Sequence, residues 1–160
     1  MLKAATFSKD RKYRYSLLRV WDEVSPILNF IGLNPSKADE ENDDKTISNC
    51  IAIAMKNGYG GIRMLNLFAI VSTDPKLLLT CEDPLGKNDD HIFEYLCSDE
   101  EYVFCWGAFK EARERANFMI EKFTNALCLG QNIDGSPKHP CRLSHETPIV
   151  DFDNTKGLVI

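Results

Sequence analysis

No apolar run in this chain approaches the roughly 20 residues that span a bilayer. Met1 to Arg14 also lacks the continuous apolar segment of a secretory signal, so a cytoplasmic protein with no membrane partner is expected. Cysteine is not scarce, but Cys50, Cys81, Cys97, Cys105, Cys128 and Cys141 include no Cys-x-x-Cys pair, and no convergent set at zinc-ligand spacing is visible. Cys50, Cys105 and Cys128 fall inside apolar periodic segments and read as small core residues. Without an export signal, disulfides are not expected. A P-loop, a Gly-x-Gly-x-x-Gly fingerprint and a Gly-x-Ser-x-Gly elbow are all missing, so neither a metal nor a cofactor is implied. Internal repeats and low-complexity segments are missing too. Positive charge is in deficit, with a net charge of −5. Duplex DNA is held chiefly by Lys and Arg neutralising phosphates. Here such residues are local, in Lys9, Arg11, Lys12, Arg14 and Arg19 and again in Lys110, Arg113 and Arg115.

What is present is an ordinary globular composition, 44% apolar and 27% charged over 160 residues, enough for one core. Residues 11 to 21 alternate Tyr13, Tyr15 and Leu17 against Arg14 and Ser16, the pattern of a sheet-edge strand. Short apolar strands are predicted at about 27–31, 62–68, 102–106 and 126–129, each ending near a Gly or Asn loop. Helical spacing follows three of them. Ile47, Cys50, Ile51, Ala54 and Met55 form the first set, with Asp44 or Thr46 as cap and Asp44 favoured. Ser72-Thr73-Asp74-Pro75 reads as a helix start, residues 88 to 96 as a helix, and Phe109, Ala112, Arg113, Ala116, Ile120 and Phe123 as the inner side of another. Strands alternating with helices predict an α/β fold. Its expected form is a three-layer α/β/α sandwich around a mainly parallel four-stranded sheet, with the N-terminal strand at one edge. Residues 1–150 would form this single domain. From Gln131 onward loop is expected, with 151–160 a C-terminal tail.

Right-handed crossovers place the loops after parallel strands on one sheet edge, where open α/β sheets bind ligands. The candidate site is therefore Gly32 to Ser36, Asn66 to Phe68, Trp106 to Ala108 and Gly135 to Pro140. Gly32, Asn34, Pro35 and Ser36 form a rigid first wall; Lys138 and His139, with Pro140, form the last. Both loops also have the composition of ordinary turns. The Asn34 amide suits a base edge, a ribose hydroxyl or a water, but it cannot act as a base. Asn66 must find a partner if buried, and tying down the Asn34 loop is one such role. His139 can donate to an oxygen that gains charge. Tyr59, Phe68 and Trp106 can each stack on a base or belong to the core. The acidic runs Asp39-Glu40-Glu41 and Asp43-Asp44 beside the Asn34 loop form either a rim that repels polyanions or a solvated face with helix-start charges.

Several of these stretches together resemble a known group. Gly32-Leu33-Asn34-Pro35-Ser36-Lys37-Ala38-Asp39, Asp43-Asp44-Lys45-Thr46-Ile47, Gly58-Tyr59-Gly60-Gly61, Asn66-Leu67-Phe68-Ala69, Thr73-Asp74-Pro75, Trp106-Gly107 and His139-Pro140 resemble domain-of-unknown-function family 1643 of bacterial and phage proteins, over about residues 11 to 145. More distantly, the layout is similar to the uracil-DNA glycosylase superfamily, whose mismatch-specific branch has a Gly-x-Asn-Pro loop and a late histidine loop. That likeness implies a glycosylase-like fold. It would make Asn34 the holder of an attacking water, Phe68 or Trp106 the stacking ring, and His139 the group facing the base or sugar oxygen. The chain departs from it in the acidic run after the first loop and in His139-Pro140-Cys141-Arg142, where a DNA-inserting wedge would stand.

The expected function is recognition of a small nucleobase- or nucleotide-derived ligand between the Asn34 and His139 loops. The acidic balance favours such a ligand over duplex DNA. Among phage proteins, a pocket of this kind would suit sequestration of a nucleotide-derived immune signal. The alternative is a base-excising N-glycosidic hydrolase acting on nucleic acid or nucleotide, with Asn34 and His139 catalytic.

Overall fold

The strand Ile27–Gly32 carries apolar residues on both faces, Leu28 and Phe30 on one and Ile27 and Ile31 on the other, which is the pattern of a strand covered on both sides. The computed structural model, which describes residues 1–156, places that strand in the middle of a seven-stranded mixed sheet. In chain order the elements are β1 (Leu2–Phe7), β2 (Arg14–Val20), β3 (Ile27–Gly32), α1 (Lys45–Lys56), β4 (Gly61–Asn66), α2 (Leu77–Thr80), α3 (Asn88–Leu96), β5 (Tyr102–Phe104), α4 (Arg113–Lys122), β6 (Leu127–Cys128) and β7 (Val150–Asp151). Short 3-10 turns lie at Lys110–Ala112 and Pro140–Arg142. The spatial order is β1-β2-β4-β3-β5-β6-β7, and β3 pairs in parallel with both β4 and β5, as β5 does with β6. β1, β2 and β7 join antiparallel.

The fold is therefore α/β, but the sheet is wider than the expected four strands. The Tyr-rich strand is not the edge, because β1 folds back over it and takes that place. At the other end Val150 and Asp151, read from sequence as the boundary between loop and tail, pair with Cys128 and Leu127. β1 is mostly exposed and β7 only two residues long, so neither carries alternation to read. Ser72 to Pro75 bends the chain without starting a long helix; α2 begins only at Leu77 and is four residues long. Ser72 and Asp74 use their polar groups on each other and on the local turn instead.

The apolar residues form two clusters, one on each face of the sheet. Ile47, Cys50, Ile53 and Ala54 of α1 pack against Leu28, Phe30, Ile62, Met64 and Val103. Ile92 and Leu96 of α3, with Ala116 and Met119 of α4, pack against Ile31, Leu65 and Phe104. α1 begins where expected: Asp44 accepts from the Ile47 N–H at 2.9 Å. Arg113, expected on the inner side of its helix, is exposed, and Met119 takes the buried position.

One polar residue organises the α1 face. Arg19 is fully buried, and its five N–H donors are all taken. Nε donates to Asp43 at 2.7 Å, Nη1 to the Ala4 and Leu18 carbonyls, and Nη2 to the Asp39 and Asn42 carbonyls. The acidic run is thus folded around a cation. Lys3 adds to Asp43 at 3.3 Å, and Arg11 holds Glu40 through two bonds of 2.7 and 2.9 Å. Asp39 accepts from the Glu41 and Asn42 N–H groups, which hold its pKa down at about 2. Replacing Arg19 by Ala strands Asp43 and four carbonyls, and a loss of about 3 kcal/mol is expected in urea unfolding. A loss under about 1 kcal/mol, the range of an exposed ion pair, would show that the network carries no weight.

Candidate functional site

β3 leads to α1 on one face, whereas its neighbours β4 and β5 lead to α3 and α4 on the other. A crevice opens at the carboxyl ends of strands whose connections part in this way. The loops after β3, β4 and β5 and the late histidine loop all line one cleft of about 440 Å³ there. Gly32, Asn34, Ser36, Asn66, Trp106 and His139 stand in its wall. Pro35, Phe68 and Lys138 do not. The Pro35 carbonyl holds the loop by accepting from Ser72 N–H and from the Asn34 amide. Phe68 packs against the opposite cluster, and the Lys138 stem lies over Gly130. Tyr59 precedes β4 and so belongs to the other sheet edge, with its hydroxyl on Glu101 at 3.0 Å.

The two asparagines exchange the roles that the sequence allowed them. Asn34 Nδ2 donates to the carbonyls of Pro35 and Ser72, each at 3.0 Å, so this amide ties its own loop to the segment after β4. Its Oδ1 has no partner among the described residues. Asn66 is 4% exposed, and its side chain is bonded to nothing among the described residues, which leaves both its donors and its acceptor for the cleft. Asn66 lies opposite Gly32 in the β3–β4 register. A Cβ on Gly32 would meet Asn66 Oδ1 at 2.8 Å, so that strand end admits only glycine while the amide stays in place. Asn88, fully buried, donates to the Asn66 and Leu67 carbonyls and fixes the end of β4 from behind.

His139 caps the turn Pro140–Arg142: its Nδ1 accepts from the Cys141 N–H at 3.1 Å. The neutral ring must then carry its proton on Nε2, a donor held in one orientation. Asn49 of α1 clamps the same turn by donating to the Pro140 and Cys141 carbonyls, and its Oδ1 accepts from His145 Nε2 at 3.2 Å. Gly107, at φ +80, brings the β5 loop into van der Waals range of His139 on the other side, and that backbone conformation disfavours any side chain there. Gly107 N–H also donates to the Pro137 carbonyl. The imidazole keeps an exposed side, yet desolvation by this packing lowers its pKa from 6.5, and Asp44 across the cleft opposes the shift.

Arg14 was missed from sequence. It lines the cleft and is only 3% exposed, although alternation turned it away from Leu17. Thr6 lies opposite Ser16 and Phe7 opposite Arg14, so Tyr15 is an extra residue on β2. Such a bulge reverses the in–out phase of what precedes it. Arg14 therefore joins Leu17 and Arg19 on the α1 face, while Tyr15 stacks on His91 of α3 at 4.4 Å. Of the acidic run only Asp44 reaches the cleft, so the expected rim against polyanions is largely consumed by ion pairs and turns. Gly135, Ser136 and Pro137 line a second hollow of about 200 Å³, separated from the first by Trp106 to Phe109. Among the described residues no group of three His, Cys, Asp or Glu side chains is placed to hold a metal, and no helix is long and apolar enough to cross a membrane.

With fold and cleft defined, the chain belongs to the family described as protein of unknown function (DUF1643), which matches residues 14–141. The match spans β2 through the His139 turn, the stretch that builds the cleft. Comparison with curated proteins and with solved structures gives no match.

Since His139 is harder to protonate in the folded protein, stability is full above pH 6.5 and falls as pH drops through the lowered folded value. Nitrogen-detected NMR titration should give a midpoint below 6.5 with the proton on Nε2, and Asp44→Asn should lower it further. A midpoint that rises in Asp44→Asn would refute this arrangement.

Proposed function

We propose that this protein binds a small nucleotide-derived ligand, without turning it over, in the cleft between the Asn34 and His139 loops. The observation that carries this reading is the convergence on one cleft of an unpartnered amide, an indole and an oriented imidazole N–H, from Asn66, Trp106 and His139. An amide with both donors and an acceptor free matches the edge of a base. Trp106, 4% exposed, lines the cleft with its indole packed on Phe104 at 4.6 Å, and His139 Nε2–H can donate to a carbonyl or ribose oxygen. A cleft of about 440 Å³ is in the range that takes a mononucleotide. Four parallel-paired strands with helices over both faces also support the three-layer, glycosylase-like reading of the fold. Binding without turnover suits a protein that senses or sequesters its ligand, a nucleotide-derived immune signal included.

A second reading, an N-glycosidic hydrolase, draws on Asp44. Its Oδ1 is spent on the helix cap, but the carboxylate lines the same cleft as His139. In that scheme a water held by Asn34 Oδ1 gives a proton to Asp44 and adds to the anomeric carbon as the C–N bond breaks, and the base leaves with the bonding pair and then takes up a proton. His139 Nε2–H would stabilise the charge on the departing base.

Calorimetry against nucleosides, mononucleotides, cyclic nucleotides and ADP-ribose derivatives decides between them when followed by chromatography of the recovered ligand. Intact ligand is expected, with affinity about tenfold weaker in both Asn66→Ala and Trp106→Ala. Free base released by wild type, and by neither Asp44→Asn nor His139→Ala, would make the protein a hydrolase. Silence across the panel would refute both readings.

A further inference from the structure

β2 buries two arginines on the α1 face, and only one is satisfied. Arg19 uses all its donors, whereas Arg14 has one hydrogen bond from its guanidinium, Nη1 to the Ala38 carbonyl at 2.9 Å. Its Nε is buried without a partner, and Nη2 has none among the described residues. No carboxylate lies within salt-bridge distance of it among these residues; Asp44, the acid in the same cleft wall, is committed to capping α1. Desolvation lowers the Arg14 pKa from 12.5 to about 10, which leaves the group charged at neutral pH. A buried cation with an unfilled donor edge is costly unless something completes it.

The surroundings of that edge match one kind of group. Nε is enclosed by protein, so Nη2 is the donor left for a group in the cleft, and a guanidinium N–H pairs strongly with an oxygen of an oxyanion. Ser36, Thr46 and Thr73 line the same cleft, and their hydroxyls donate to nothing among the described residues.

We propose that Arg14 is the anchor for a phosphoryl group of the ligand, with the Ser36, Thr46 and Thr73 hydroxyls completing the subsite. This rests on the nucleotide reading above and deepens it: the ligand is a nucleoside phosphate, bound with its phosphate toward β2 and α1 and its base toward Asn66, Trp106 and His139. The anchor has a cost to the free protein, because the empty subsite strands a charge in the core.

The test uses inorganic phosphate as the probe. In wild type, millimolar phosphate should raise the melting temperature above that in chloride of equal ionic strength, and it should shift the Arg14 guanidinium N–H resonance to saturation. Arg14→Met should melt at or above the wild-type temperature in chloride, by up to roughly 2–4 °C, and should lose the phosphate response. An unmoved Arg14 resonance, or equal stabilisation of wild type and variant by phosphate, would overturn the proposal. That NMR measurement needs no variant, so it stands even if Arg14→Met folds poorly. The two readings also fail separately. Nucleosides that bind while phosphate is silent would remove the Arg14 anchor and leave the base pocket; phosphate binding with no difference between nucleotides and phosphate would do the reverse.

Discussion

Buried Arg19 is the constraint on which the site is built. A guanidinium inside the protein costs least when every donor is met, and the chain meets those of Arg19 by wrapping Asp39 to Asp43 around it. That wrapping ends at Asp44, which caps α1. α1 in turn presents Asn49 to the Pro140 and Cys141 carbonyls, and that clamp helps orient His139. A single cation on the antiparallel part of the sheet thus reaches, through one cap and one amide, a ring on the far side of the cleft. The acidic run is better understood as the shell of this cation than as a repellent rim.

The crevice itself follows from topology. Because β3 connects to one face and its two neighbours to the other, the loop Gly32 to Ser36 is left alone at the parting of the helices. The residues there divide into those that hold the walls and those that face the space. Asn34, Pro35, Asn49 and Asn88 hold; Asn66, Trp106, His139 and Arg14 face. Polar residue type does not separate the groups, since asparagine appears in both. What separates them is whether a backbone carbonyl lies within reach of the amide.

Much of the parallel core was legible in the sequence. Ile27 to Ile31 and the helix Asn88–Leu96 stand out by apolar pattern, and in the helix after Asp44 apolar period, cap residue and glycine stop agree. β1 and β7 were not legible: one is mostly exposed and the other only two residues long, so neither carries a period. Gly32, Asn34 and His139 could be placed at the sheet edge from strand order alone. Phe68 and Lys138 could not be excluded that way, because the direction of a side chain at a strand end depends on contacts distant in sequence. Arg14 was hidden for a sharper reason: one extra residue at Tyr15 inverts the alternation by which its face was read.

That bulge also bears on how the family can change. Loops usually absorb insertions and deletions, and strands at the periphery of a sheet are often treated as similarly tolerant. Here, loss of one residue between Arg14 and Ser16 would restore strict alternation. That residue is Tyr15, so the guanidinium would keep its face while the Tyr15 ring and its stack on His91 would be lost. The added residue therefore lets one strand serve both faces of the sheet, with Arg14 toward the cleft and Tyr15 toward α3. Variation in chain length is expected to collect in the turn at residues 8–13 and not inside the strand.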